Sequence, residues 1–403
     1  GVDVIVTHVI SGLDPRDGGP PVALEGLVLA QRALNTEVRV VSTYRDGDSF
    51  ARSERLRDAG VATTLIGPTK TPLQLKPGMT AAVRRAIAGS DVVHIHNLWE
   101  QMQHVTASLA RRAGIPYLLR PCGMLDPWSL SQSAGRKRWM LRLRTRRDLN
   151  DAVAVHYTSD AERDGAKGLG LTSRLLVVPN GLDTEPFERP VAAETALLDE
   201  RVPEFAGRPK VVFLSRLHPK KGGDILIEAF ATLLAQWPAE ADKPALVFVG
   251  PDEAETQPKW EALVRQRGLA QDVRFVGLLN GDDKVAALRE ADVFCLPSHQ
   301  ENFGIAVVES LAAGTAVVIS DQVNIHGAIT EAGLGSAVPL DANALSDALR
   351  HWLDDFPGRQ RVAERALAWV RDTYGWDGIA RQWCERLYPE LIENAKVRRQ
   401  VSK

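Results

Sequence analysis

Short, nearly unbroken apolar runs alternate along the chain with longer segments in which apolar residues recur every three or four positions. The runs Val2–Ile10, Glu37–Thr43, Val61–Ile66, Asp91–Asn97, Tyr117–Arg120, Ala152–Ser159 and Arg174–Gly181 read as strands, and Val22–Leu34, between the first two, has helical spacing. Continuous apolar runs suit strands covered on both faces, and strands that alternate with helices predict a parallel, doubly wound sheet.

The pattern breaks between Leu182 and Pro209 into a charged, proline-bearing segment, then resumes at Lys210–Ser215. It continues through Ala245–Gly250, Asp272–Gly277, Asp292–Pro297 and Thr315–Ser320. The expectation is α/β architecture with two Rossmann-like domains, residues 1–182 and 208–375. A last helical stretch carries Trp376, Ile379, Trp383, Leu387 and Tyr388 and needs an apolar surface to cover, so residues 376–403 are expected to pack back onto the first domain.

Composition changes this picture little. A chain of 403 residues with 44% apolar and 25% charged residues is that of a soluble globular protein of two ordinary domains. A net charge of −2 gives no general case for nucleic-acid binding. Cys122, Cys295 and Cys384 are far apart and form no CxxC pair, which suits a reducing cytoplasm. No run approaches membrane-spanning length.

The candidate chemistry gathers at strand ends. From Phe303 to Ser320 the only ionisable side chain is Glu309, eight residues after Glu301 in the loop SHQENFG. A carboxylate in so apolar a helix is normally paired or bound, because burying it unpaired costs several kcal/mol; the competing reading is a glutamate on a helix surface. The segment SRLHPKKGG puts Arg216 at the end of a strand and Lys221 just before a glycine pair and a helix, and two cations at a sheet's carboxyl edge suit a diphosphate. Gly18 and Gly19 precede a helix start, where anions are favoured, but match neither dinucleotide nor Walker spacing. His94 and His96 share one strand face; a metal pair is conceivable there, yet no third ligand stands at a supporting spacing.

Taken in order, GGPP after Asp17, DVVHIHNLW, GMLDPWSL, VPNGLD with Asn180, SRLHPKKG, VGPDE and ENFGIAVVE cover nearly the whole chain. Together they resemble the retaining glycosyltransferases of family 4, whose last motif is E-x7-E and whose GT-B fold faces two Rossmann-like domains across a cleft. The resemblance implies transfer of a hexosyl group from a UDP- or GDP-linked sugar to an acceptor hydroxyl with retained configuration. It implies no cofactor and no metal. Arg216 and Lys221 would hold the diphosphate and offset charge on the leaving group, and Glu309 would accept hydrogen bonds from the ribose. Glu301 with Asn302, Phe303 and Gly304 would contact the donor sugar, Gly19 would approach the donor, and Gly277 with Leu278 would lie at the nucleobase. Glu301, Arg216 and Lys221 form the expected catalytic set.

One departure stands out. Many relatives carry a histidine in the loop where this chain has Pro121, Cys122 and Gly123. Either Cys122 replaces it and His96 or a main-chain group serves the sugar, or Cys122 simply packs; Asn180 completes this acceptor-side set. The segment Arg136–Arg147 holds seven cations and no acid, with Trp139, Met140, Leu141 and Leu143 interleaved, and suits an anionic membrane surface or a phosphorylated acceptor, or else a solvated helix docked on the sheet. The expected partners are therefore a nucleotide sugar and a glycan or lipid-linked acceptor, in polysaccharide or lipid-linked oligosaccharide synthesis on the inner face of the plasma membrane. A sugar-nucleotide epimerase or phosphorylase of the same fold, and a non-catalytic sugar-nucleotide-binding subunit, remain as alternatives.

Overall fold

A computed structural model describes residues 4–70, 73–131, 134–190, 196–253 and 255–401. The chain forms two compact units, one reaching Gly181 and resuming at Trp376, the other Leu182–Gly375. The segment before Lys210 belongs to the second unit, where Leu198, Val202 and Phe205 pack on Val212 and Val247.

The first unit contains β1 (Ile5–Ile10), β2 (Glu37–Thr43), β3 (Ala62–Ile66), β4 (Val92–His96), β5 (Tyr117–Arg120), β6 (Ala154–Tyr157) and β7 (Leu175–Val177). They lie in the order β3-β2-β1-β4-β5-β6-β7, all parallel. The helix after β1 runs Gly19–Ala33 and starts earlier than its apolar spacing indicates, because Pro20 and Pro21 suit a first turn whose N–H groups have no partner to lose.

The second unit contains β8 (Lys210–Leu214), β9 (Ala245–Val249), β10 (Val273–Phe275), β11 (Val293–Leu296), β12 (Ala316–Ser320) and β13 (Gly335–Val338). The order β10-β9-β8-β11-β12-β13 is again wholly parallel. The pattern of apolar runs did not indicate β13: its sequence GSAV is small and half-buried, with too little apolar surface to stand out.

The returning C-terminal segment is helical over Trp376–Arg381, widens to a π turn at Gln382–Leu387 and continues as a helix over Tyr388–Val401. Its Ile379, Trp383, Leu387, Tyr388 and Leu391 form one core with Val6, Val92, Leu118, Ala154 and Leu176 of the first sheet. Gly26 and Gly181 make room for Trp376, whose ring atoms would lie 2.2 and 2.3 Å from a side chain at either position. Among the described residues, no helix is long and apolar enough to cross a membrane.

Candidate functional site

In each sheet the chain winds outward in both directions from a central pair, β1/β4 and β8/β11, and the crevice at the carboxyl ends of such a pair is where open α/β sheets bind ligands. In the second unit the loops after β8 and β11 meet at this point. His299 N–H donates to Lys220 O at 2.8 Å. Gly222 makes the approach possible: its φ is +70°, and a Cβ there would stand 2.0 Å from the Pro297 carbonyl oxygen. The loop after β9 joins through Leu217 N–H to Pro251 O at 2.8 Å and Glu253 N–H to Leu217 O at 3.0 Å. The loop after β12 joins through Glu301 N–H to Gln322 O at 3.1 Å and Asn324 N–H to Glu301 O at 2.9 Å.

Three ion pairs decorate this frame. Arg216 Nη1 lies 2.7 and 2.8 Å from the two carboxylate oxygens of Glu253. Lys221 Nζ contacts Glu301 Oε2, with both side chains largely enclosed. Glu309, 8% exposed on the helix Ile305–Ala312, accepts from Lys284 Nζ at 2.6 Å. Gly304, at φ +75°, opens that helix and lets Glu301 fold back over its first turn. Asn302 accepts from Asn324, Phe303 packs into the core, and Gly277 (φ +77°) and the exposed Leu278 follow β10 two strands away.

At the matching edge of the first unit, Gly18 (φ +81°) and Gly19 face open space at the start of the helix Gly19–Ala33. Ion pairs among Asp14, Arg16, Asp17, Arg45 and Asp48 brace this loop, and Arg16 holds the Asp14 carboxyl well below its usual range. Asn97 and Cys122, just beyond β4 and β5, both have positive φ, +68° and +55°. Such strain in non-glycine residues clusters at functional sites.

Cys122 points its thiol toward Arg120 O at 3.6 Å; burial pushes its pKa up, so the thiol is not primed as a nucleophile. Glu162 clamps the loop by accepting from Gly123 N–H at 2.6 Å. His96 is fully buried, with one ring nitrogen against His8 and the other against Arg120, so it serves the edge indirectly. Arg120 reaches onward to Asn180 Oδ1. Among the described residues no carboxylate pairs with Arg120, and Arg120 Nε, Asn97 Oδ1, Trp99 Nε1 and Glu100 Oε2 are buried without partners.

The family model "Glycosyl transferases group 1" matches residues 196–369, and "Glycosyl transferase 4-like domain" matches residues 18–181. The chain belongs to this glycosyltransferase family. Phosphatidyl-myo-inositol mannosyltransferase of Mycolicibacterium smegmatis is 36% identical over 236 residues, 58% of this chain and 56% of that protein. D-inositol 3-phosphate glycosyltransferase of Corynebacterium urealyticum is 31% identical over 284 residues, 67% and 65% of the two chains. The chain thus spans little more than half the length of the first of these relatives. Among solved structures, Anabaena HepE in complex with UDP and glucose aligns with TM-score 0.74 and 21% identity, covering 95% of this chain and 99% of that one. Sucrose-phosphate synthase from Thermosynechococcus elongatus aligns with TM-score 0.73 and 20% identity, covering 97% and 100%. These likenesses give the chain its fold, GT-B.

Three groups at the candidate site had no role in the motif reading. Glu253 and Lys284, the counter-ions of Arg216 and Glu309, come from the loop after β9 and the helix Gly281–Glu290. Arg120 joins His96 to Asn180, two residues of the acceptor-side set whose link the sequence did not disclose. The one signal available for Arg120 was a strand-end cation in an otherwise apolar YLLR run.

Proposed function

We propose that the chain is a retaining, metal-independent hexosyltransferase that moves a sugar from a nucleotide diphosphate to an acceptor hydroxyl in the synthesis of lipid-linked or polymeric glycans. One observation carries the reading: Arg216, Lys221, Glu301 and the Gly304 helix start converge at the switch point of the second sheet. The two cations are already paired with Glu253 and Glu301, so a diphosphate replaces one anion by another rather than entering beside bare charges. Arg216 grips it bidentately, Lys221 acts as a point charge, and both offset the charge that grows as the sugar leaves. Glu301, released from Lys221, and the backbone of Asn302, Phe303 and Gly304 take the donor sugar. Glu309, oriented by Lys284, accepts the ribose hydroxyls, and Gly277 and Leu278 lie toward the base. The nucleophile is the acceptor hydroxyl, attacking from the face the diphosphate leaves, so no enzyme carboxylate is asked to form a bond.

The first unit takes the acceptor, with Cys122 and Asn180 on the acceptor side. The relatives' names make an inositol-bearing or lipid-linked acceptor the natural class to test. A peripheral, inner-face membrane location is part of the proposal. It is supported by the exposure of Trp139 and Leu143 one helical turn apart, beside the exposed Arg142, Arg146 and Arg147. The deciding experiment incubates the protein with UDP- and GDP-sugars and candidate acceptors, following thermal shift and product mass. Transfer with retained configuration, unaffected by a chelator, is expected. A changed free nucleotide sugar without acceptor would instead indicate an epimerase, and binding without turnover a sensor.

A further inference from the structure

Seven polar side chains stand in an otherwise apolar layer of the first unit, each at most 2% exposed, and their hydrogen bonds run in a single line. Strand register assembles it: His8 pairs with His94 and His96 with Arg120, which sets all four on one sheet face, under the C-terminal segment. Arg120 Nη1 lies 3.3 Å from His96 Nδ1, His96 Nε2 lies 3.0 Å from His8 Nδ1, and His8 Nε2 lies 2.8 Å from Gln31 Oε1. Gln31 Nε2 lies 3.2 Å from the Tyr388 hydroxyl, which lies 2.9 Å from His94 Nδ1. His94 Nε2 lies 3.1 Å from His156 Nδ1, and His156 Nε2 lies 2.7 Å from the Val178 carbonyl oxygen.

The two ends fix the direction. A guanidinium only donates and a peptide carbonyl only accepts. From the Val178 end, His156 carries its proton on Nε2, His94 does likewise, and Tyr388 donates to His94 while accepting from Gln31. From the Arg120 end, His96 accepts at Nδ1 and donates from Nε2, His8 does the same, and Gln31 presents its oxygen to His8. Both derivations arrive at the same Gln31 orientation. The reversed chain sets donor against donor at Arg120 and acceptor against acceptor at Val178. A second proton on any ring creates a donor facing a donor, and burial together with the Arg120 charge holds all four histidines well below their usual range.

We propose that this line is a one-directional chain of neutral side chains that positions Arg120 and, through it, Asn180. Arg120 donates to Asn180 Oδ1, which fixes the orientation of the amide and leaves its N–H donors for a ligand at the sheet edge. Asn180 then selects oxygen acceptors such as the hydroxyl or phosphate oxygens of a sugar acceptor; this last step rests on the glycosyl-transfer reading, whereas the chain does not. The rings of His8, His94 and His96 also bring ligand atoms within 4.8 Å of one another, the geometry of a possible metal group that strand spacing alone did not disclose. All six of their nitrogens are already engaged, however, and a divalent cation there would face the fixed charge of Arg120.

Long-range 1H–15N NMR of the histidine-labelled full chain tests the chain directly. His8, His94, His96 and His156 are expected as neutral Nε2–H tautomers between about pH 8 and about pH 6, the range over which an ordinary imidazole charges. An Nδ1–H tautomer or an imidazolium at any of them, or a Co2+ absorption band that depends on these rings, overturns it. Asn180→Asp keeps the oxygen that faces Arg120 and adds a counter-charge but removes the donors. Its Tm should be unchanged or raised, while the KM for phosphatidyl-myo-inositol micelles, with UDP-glucose or GDP-mannose as donor, should rise about 10-fold, with kcat altered less. A purely structural Asn180 would leave the KM unchanged whatever the Tm, which overturns the assignment. Absence of transfer by the wild-type protein counts against the glycosyl-transfer reading, and the tautomers then decide the chain alone.

Discussion

The two units share one topology and use their interiors differently. In the second, the sheet is packed with Val211, Phe213, Leu246, Phe248, Val293 and Val317, and its candidate site charges stand as ion pairs at the carboxyl edge. In the first, four histidines, an arginine and a tyrosine are sealed within one face, and what reaches the edge has been oriented from beneath. An apolar platform suffices where the ligand brings its own charge and is held by salt-bridge exchange. Discrimination among neutral hydroxyls calls for fixed donors and acceptors, and a buried polar network supplies them when its members are paired, as every one is here but Arg120 Nε.

The strongest way to break this contrast is at the second unit's edge. Lys221→Ala should lower turnover by about 10²–10³-fold, the scale for loss of one group that stabilises transition-state charge, with far-ultraviolet dichroism unchanged; unaltered steady-state rates would remove Lys221 from the diphosphate site. Next comes acid. His8 and His156 are neutral in the folded state, lowered to about 4 and about 3, whereas the unfolded chain protonates near 6.5. Their contribution is complete above about pH 6.5 and is lost as pH falls below it, because only the unfolded chain then takes up protons; by pH 5 the two remove about 4 kcal/mol. No histidine of the second unit is buried among the described residues. Hydrogen exchange at pH 5 should therefore show the first unit opening before the second, and simultaneous opening would erase the distinction.

Lys284→Met leaves Glu309 buried without its partner and should cost about 2 kcal/mol, somewhat less than a wholly buried pair because Lys284 is partly exposed. Urea unfolding of the second unit measures it, and Glu309→Gln in the same chain should restore most of the loss. Arg142→Gln is the mildest: about 1 kcal/mol, or roughly fivefold, in binding to phosphatidylserine vesicles, read by sedimentation.

What could be read from the sequence follows the same division. Strands dominated by large apolar residues, such as VVHIH and VFCL, announce themselves, whereas GSAV in β13 does not. Arg216, Lys221, Glu301 and Glu309 lie in two contiguous motifs, so they stood out as candidates; Glu253 closes the VGPDE run and Lys284 lies in no motif, and neither pairing was legible, because only the winding of the sheet brings the partners together. The polar chain draws on β1, β4, β5, β6, a helix and a segment more than 350 residues from Gln31, as the Gln31–Tyr388 separation of 357 shows. Its trace in the sequence was nonetheless present. His8, His94 and His156 each interrupt an apolar strand, and a polar residue at such a place requires a partner.

The central claim is that the edge of the second sheet is a nucleotide-sugar cradle in which Glu309 holds the ribose. Calorimetric titration of UDP-glucose and GDP-mannose into the wild-type chain and into Glu309→Ala tests it most directly. The wild type is expected to bind at least one donor, and Glu309→Ala to bind it about 10-fold or more weakly, the scale of a hydrogen bond to a charged group. Equal affinity in the two proteins would contradict it, as would the failure of either donor to bind the wild type.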